Sequence, residues 1–315
     1  MKIGIITDIH ENVTMLERVL RLADSTRCDE LACLGDIAGY DSRFYNYHFT
    51  RSARRCVDMV RASCRWVVPG NHDLFASQRY PAWSNGFVYP EMWFTLSPAE
   101  RRNISAGRVW SFDSEDPNDL GEENKEYLNS LPEYEIVSLN GLKMLFSHYI
   151  FPDLTGSTTR HVERKHHMDD LWKFMDTYNV KFSLSGHSHK SHAYFSNRGS
   201  FSFVRAIHSV PNDTIHLGDD MTMILLPPVT GGKNATSASS CSSALSVAID
   251  WSSAALTRRV SANAVAHGSP RAASQRCRSP TWRTSSGTST DSIDCPTRSR
   301  SAAKYSTRTF TTAAP

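Results

Sequence analysis

The chain has 315 residues, 40% hydrophobic and 21% charged with a net charge of +3, the balance of a soluble globular protein of one large domain or two small ones. Residues 233–315 hold 11 Lys+Arg and 3 Asp+Glu of the chain's 35 and 32, so residues 1–232 keep 24 and 29, a local charge of −5, with no basic stripe that would bind nucleic acid. The 7 Cys are odd in number and never spaced CxxC, which argues against a disulfide framework or a structural zinc site and for a reducing, cytoplasmic setting.

Residues 2–7 (Lys-Ile-Gly-Ile-Ile-Thr) form an apolar run too short for a secretory leader. They read as a strand buried on both faces. Asn12 is placed to cap a helix in which Val13, Leu16, Leu20 and Ala23 share one face. Strands are expected at 30–34 and 65–68, with a helix over 50–63 between them. Pro69-Gly70 stops the third strand. The result is a β-α-β-α-β pattern with polar residues just after each strand.

Residues 75–131 are rich in aromatics and broken by Pro81, Pro90, Pro98 and Pro117. They read as a partly helical insertion over the strand ends, with helix starts at Ser97-Pro98-Ala99-Glu100 and Gly121-Glu122-Glu123-Asn124. Its aromatics either pack the insertion or form a lid. Strands at 134–139 and 142–147 are joined by Asn140-Gly141, a two-residue hairpin signal. A helix over 167–178 and strands at 181–185, 201–207 and 221–226 follow. No run of about 18 apolar residues appears, so no membrane span is expected.

After about residue 230 the pattern changes. Residues 233–315 hold 19 Ser and no Glu, with almost no apolar periodicity, so this tail is expected to be disordered. Two origins are open: a natural Ser/Arg-rich tail, or out-of-frame translation beginning soon after the strand-like run Met221 to Leu226.

Five polar clusters sit at the ends of the expected strands. They are Asp8-Ile9-His10, Gly35-Asp36, Gly70-Asn71-His72-Asp73, His148, and Gly186-His187-Ser188-His189. Carboxylate and imidazole are good ligands for first-row divalent metals. One Asp between two cations bridges them, and an Asn offers a neutral oxygen. Each cluster alone arises often by chance; all five in this order do not. Of the other histidines, His161, His166 and His167 read as a solvated helix flank, His192 follows the last cluster closely, and His48 and His208 carry no signal.

The series resembles the signature of the calcineurin-like metallophosphoesterase superfamily, spans residues 1 to about 230, and lacks none of its ligand positions. The resemblance implies an α/β fold, a four-layer αββα sandwich of two mixed sheets, occupying residues 1–232. It implies one divalent cation held by Asp8, His10, His189 and a bridging Asp36, and a second held by Asp36, Asn71, His148 and His187. Manganese, iron, nickel, cobalt and zinc all suit this donor set. A water shared by the cations, about 3.5–4 Å apart, would become the hydroxide that attacks phosphorus. His72 would be the catalytic residue at the leaving group, oriented by Asp41 or Asp73; Asp73 also reads as a helix N-cap.

Serine/threonine phosphatases of the superfamily carry Gly-Asp-x-x-Asp-Arg-Gly. Here the sequence is Gly35-Asp36-Ile37-Ala38-Gly39-Tyr40-Asp41, which resembles the small prokaryotic phosphodiesterases instead. Leu226-Pro-Pro-Val-Thr-Gly-Gly232 resembles their closing Asn-Pro-Gly-Ser-Val-Gly segment. The expected partner is a small phosphate ester, cleaved as a diester. The alternatives are a phosphomonoesterase or protein phosphatase, and a non-catalytic scaffold such as the retromer subunit that shares this fold.

Overall fold

The computed structural model describes residues 1–139, 141–162, 165–190, 193–198, 213–217, 220–231, 246–250 and 258–263. β1 (Lys2–Ile6), β2 (Glu30–Cys33) and β3 (Trp66–Val67) lie parallel in the order β3-β2-β1. The crossovers carry α1 (Val13–Ser25) and α2 (Ala53–Ser63). Asn12 caps α1 by accepting from the Met15 amide, and Ser52 caps α2 from the Arg55 amide. The expected helix over 50–63 is therefore split: a short 3₁₀ turn, His48–Thr50, precedes the cap.

The second sheet runs β4-β5-β6-β9-β7. β4 (Tyr134–Leu139) and β5 (Leu142–Ser147) are antiparallel, with Leu139 opposite Leu142 as a two-residue link requires. α6 (Asp169–Tyr178), entered through the 3₁₀ turn Lys165–Met168, leads to β6 (Phe182–Ser185), which lies parallel to β5. β7 (Tyr194–Asn197) and β9 (Thr222–Leu225) complete the sheet.

Side chains alternate along these strands, so each sheet serves two layers. Ile3 and Ile5 of the first sheet meet Met144, Phe146, Phe182, Leu184 and Ile224 of the second in one core. On the outer side of the first sheet, Ile6 and Cys33 pack under Leu16 and Val19 of α1 and Cys56, Val57 and Val60 of α2. On the outer side of the second, Leu145, Met223 and Leu225 pack under Leu171, Trp172 and Met175 of α6. Helices thus cover both outer faces of the two mixed sheets.

The insertion contains α3 (Asn71–Ala76), α4 (Pro98–Ser105) and α5 (Glu122–Ser130) within or beside it. Phe87, Trp93 and Val109 give it a small core of its own.

The tail departs from expectation. β10 (Ser246–Asp250) and β11 (Arg258–Asn263) lie inside the stretch read as disordered, and they continue the first sheet beyond β1 in the order β10-β11-β8, where β8 is Asp213–Leu217. β10 runs antiparallel to β1 with Ile249 opposite Ile3. An open edge on β1 would leave a row of unpaired amides and carbonyls, and a five-residue strand satisfies them whatever the composition around it. The expected strand at 201–207 and the rest of 233–315 lie outside the described residues. Among the described residues no helix is long and apolar enough to cross a membrane.

Candidate metal centre

Every expected ligand sits where a strand ends. Asp8 and His10 follow β1, Asp36 follows β2, Asn71 opens α3 after β3, His148 follows β5, and His187 and His189 follow β6. Five of them hold left-handed backbone: Asp8 (φ 55°), His10 (50°), Asp36 (53°), His187 (63°) and His189 (49°). Non-glycine residues seldom adopt this region, and it is held only where the surroundings enforce it.

The enforcement is visible in the backbone. The turn after β1 is zipped to the turn after β2: the amides of Asp8, Ile9, His10 and Glu11 donate to the carbonyls of Gly35, Asp36, Asp36 and Ile37. The Val229 and Thr230 amides donate to the Thr7 and Asp8 carbonyls, so the segment after β9 ties the second sheet to the first. Gly186 has no room for a side chain, since a Cβ there would overlap Thr7 and the Asp8 carboxylate.

The ligand atoms converge. One oxygen each from Asp8 and Asp36 and one ring nitrogen each from His10 and His189 lie within 4.8 Å of one another, and so do those of Asp36, His148 and His187. Asp36 belongs to both groups. Its Oδ2 lies 3.1 Å from His148 Nε2 and 3.9 Å from His10 Nε2, and its Oδ1 accepts from the His72 amide.

The outer contacts orient these donors inward. His10 Nδ1 lies 2.7 Å from the Gly39 carbonyl and His148 Nδ1 lies 2.7 Å from the Leu34 carbonyl, so each Nδ1 carries a proton and each Nε2 faces the centre. Asp8 Oδ2 accepts from Thr7 and the His187 amide.

Asp8 Oδ1 and Asn71 Oδ1 are buried with no hydrogen-bond partner, though His189 Nε2 stands 3.2 Å from the former. Such orphans are costly unless something takes them. Two unpartnered oxygens and inward-facing imidazoles form a donor set that fits divalent cations.

The charge balance points the same way. Burial lowers the pKa of His10 and His187 to about 3, helped by neighbouring histidines. Both are therefore neutral and ready to ligate. Burial also disfavours the His148 imidazolium, but Asp36 outweighs it and raises that pKa to about 9. Burial would raise the pKa of Asp36; His148 and His72 instead hold it well below the carboxylate range.

His72 stands beside this cluster rather than in it. Its Nδ1 donates to Glu115 Oε2 at 2.8 Å. Burial opposes its protonation, yet Asp36 and Glu115 raise its pKa to about 9. Neither residue expected to orient it does so. Asp41 is taken by Arg43 and Ser114. Asp73 is at the third position of α3, not its cap, and accepts from the amides of Ile37, Ala38 and Gly70. Burial raises its pKa to about 7. Glu115 carries no spacing signal, being 43 residues from His72 in the chain.

A cavity of about 950 Å³ opens over the cluster. His10, Asp36, Asn71, His187 and His189 line it, and Tyr45, Trp110, Phe112 and Tyr149 form aromatic walls. The insertion's aromatics thus divide: Phe87 and Trp93 pack inward while Trp110 and Phe112 face the cavity. His161, expected to be solvated flank, lines the cavity near Trp110, whereas His166 and His167 belong to the 3₁₀ turn before α6. His192 and His208 lie outside the described residues.

The domain model of the calcineurin-like phosphoesterase superfamily matches residues 1–206. The chain belongs to this superfamily. A metallophosphoesterase from Sphaerobacter thermophilus is similar in structure, with a TM-score of 0.53, 20% identity, and coverage of 85% of this chain and 89% of that one. A hypothetical protein from Pyrococcus horikoshii OT3 has a TM-score of 0.50 at 10% identity, covering 84% and 88%. An uncharacterised protein of Methanocaldococcus jannaschii is 25% identical over 198 residues, 59% of this chain. The chain spans 62% of that curated relative's length.

Proposed function

We propose that this phosphoesterase hydrolyses phosphodiesters at a site that takes two divalent cations. The observation that carries the reading is the sharing of Asp36 between two converging ligand groups. Asp8, His10, His189 and Asp36 would hold one ion, and Asp36, Asn71, His148 and His187 the other. Such a pair of ions acidifies a water and neutralises phosphoryl charge.

The chain's own residues supply the rest. The aromatic walls and the cavity's volume of about 950 Å³ leave room for a substituent on either side of a phosphate, which favours a diester. His72 is the proton donor to the leaving oxygen. The water's oxygen forms the new bond to phosphorus, and the bond to the leaving oxygen breaks as His72 Nε2 passes it a proton. The proton lost by the water restores the imidazolium.

The test is hydrolysis of bis-p-nitrophenyl phosphate and p-nitrophenyl phosphate with Mn²⁺, Ni²⁺ or Zn²⁺, alongside bound-metal analysis. Asp36→Asn should lose metal and turnover together. His72→Ala should keep metal and lose about 10²-fold or more in kcat. Full turnover in both variants would remove the basis of the proposal.

A further inference from the structure

His72 Nδ1 and Glu115 Oε2 are 2.8 Å apart, and the Glu115 side chain is only 6% exposed. A carboxylate accepts and cannot donate, so this contact places a proton on Nδ1 and turns Nε2 toward the cavity. We infer that Glu115, contributed by the insertion, is the positioning residue that fixes the His72 ring for proton transfer. The inference rests on the phosphoesterase reading and adds to it a residue outside all five ligand clusters.

The segment carrying Glu115 is held on every side. The Trp110 indole donates to the Gly156 carbonyl at 2.9 Å, and the buried Arg101 donates through Nε to the Ser111 carbonyl at 2.8 Å. Phe112 holds left-handed backbone at φ 47° and stacks on Phe75 at 4.4 Å. A bulky residue in that region marks a conformation imposed by its surroundings. On the far side, Ser114 Oγ donates to Asp41 Oδ2 at 2.6 Å, and the Asp116 amide donates to the Tyr40 carbonyl at 2.8 Å. The Ser42 amide returns the contact by donating to Asp116 Oδ2 at 2.9 Å. Glu115 is thus gripped between two anchored neighbours, against the turn that follows β2.

The ring it meets has little freedom of its own. Gly39 lies so close that a Cβ there would overlap the His72 ring. His10 and Phe112 meet the ring edge-on at centroid distances of 5.0 and 5.2 Å. These walls limit the ring's tilt, and a flip would exchange Nδ1 for Cδ2. Among the described residues the ring's one polar contact is with Glu115, and that contact tells the two flips apart. A proton-transferring imidazole oriented by a third group in this way is a recurring arrangement in catalysis.

The test uses the full chain loaded with Mn²⁺ and two esters that differ only in leaving group, a p-nitrophenyl and a phenyl ester of the class the wild type cleaves. Phenol is the weaker acid, so its departure depends more on a donated proton. Glu115→Ala should lose about 10²-fold in kcat on the phenyl ester and less than about tenfold on the p-nitrophenyl ester. KM and bound Mn²⁺ should stay within about twofold, since the ligand clusters are untouched. Glu115→Gln keeps an acceptor of nearly the same shape and should recover part of the loss. The double variant Glu115→Ala with His72→Asn should be no slower than His72→Asn alone.

Equal losses on the two esters, or additive losses in the double variant, overturn the inference. Long-range ¹H–¹⁵N correlation spectra of the metal-free chain supply a readout independent of turnover. The wild type should show a His72 Nδ1–H resonance shifted by its hydrogen bond to Glu115, and Glu115→Ala should remove that shift. An unchanged His72 spectrum in Glu115→Ala also overturns the inference. A wild type that cleaves neither ester refutes the phosphoesterase reading, while the spectra still report whether the contact exists.

Discussion

Gly70 offers the most direct way to disturb the proposed shared ligand without altering its chemistry. Its backbone, φ −94° and ψ 179°, is open to any residue, so Gly70→Ala adds a methyl group and no dihedral strain. That methyl would overlap Asp36 Oδ1 and come within 2.6 Å of the Asp36 amide nitrogen, where ordinary contact begins at 3.4 Å. To reach ordinary contact the Asp36 amide nitrogen must retreat by about 0.8 Å and its Oδ1 by about 1.3 Å, and because the clash includes backbone a change of rotamer alone does not relieve it. Overpacking of this size costs about 1–3 kcal/mol, which a domain of ordinary stability survives. Displacement by about 1 Å at a reacting centre costs about 10²-fold in rate. Gly70→Ala should therefore remain folded by thermal melt, bind both equivalents of Mn²⁺ more weakly in equilibrium dialysis, and lose about 10²-fold in kcat against bis-p-nitrophenyl phosphate. A folded variant with unchanged Mn²⁺ affinity and rate would show that Asp36 is not the ligand common to both ions.

Three further outcomes follow from the buried charges. Asp73→Ala strands the amides of Ile37, Ala38 and Gly70, at about 1–3 kcal/mol each, so urea unfolding should report a loss of about 3 kcal/mol or more. Mn²⁺ loading at pH 7 should release a proton from His148, whose pKa lies near 9, and none from His10 or His187, whose pKa values are near 3, beside any that an acidified water gives up. Titration calorimetry in buffers of different ionisation heat counts these protons, and a release of none would contradict the charge assignment. Arg51 Nη1 lies 2.6 Å from Glu11 Oε2, and burial has already raised the Glu11 pKa to about 7. Arg51→Met pushes it higher, so the variant keeps Glu11 protonated where the wild type ionises. Its stability deficit should be small at pH 6 and grow by up to about 1.4 kcal/mol per pH unit above 7. A deficit independent of pH would mean that the ion pair is not what Arg51 contributes.

The proposed ligand clusters were legible because each lies within four residues of a strand end, where apolar runs stop and glycines turn the chain. Helices α1 and α2 were legible through their caps and apolar faces. Glu115 was not, since its partner lies 43 residues away and neither belongs to a periodic pattern that includes the other. Four strands of four to six residues were missed for another reason. β7 pairs with the edge of β9, and β10, β11 and β8 add in turn beyond β1, so neighbouring edges specify them rather than their own composition. Asp73 was misplaced because a Gly-Asn turn before a carboxylate resembles a cap. Only the fold brings the Ile37 and Ala38 amides to it.

The division of the proposed ligands between the sheets has a consequence for how the site forms. Asp8, His10, Asp36 and Asn71 follow strands of the first sheet, and His148, His187 and His189 follow strands of the second. Neither sheet alone presents a complete group of donors, because Asp36 must meet His148 and Asp8 must meet His189 across the junction. Without cations, that junction brings several buried imidazoles and two carboxylates together and leaves two oxygens unpartnered, a local cost. It is offset by the apolar core in which Ile3 and Ile5 pack against Met144, Phe146 and Ile224. Hydrophobic packing between the sheets therefore holds the donors in place before any ion arrives, and left-handed backbone at five ligands persists for the same reason. Ions that bind only the assembled junction return stability to it in proportion to the logarithm of their concentration over Kd. The core and the site are in this sense one device: the sheets pack to gather the proposed ligands, and a bound ion would hold the sheets packed.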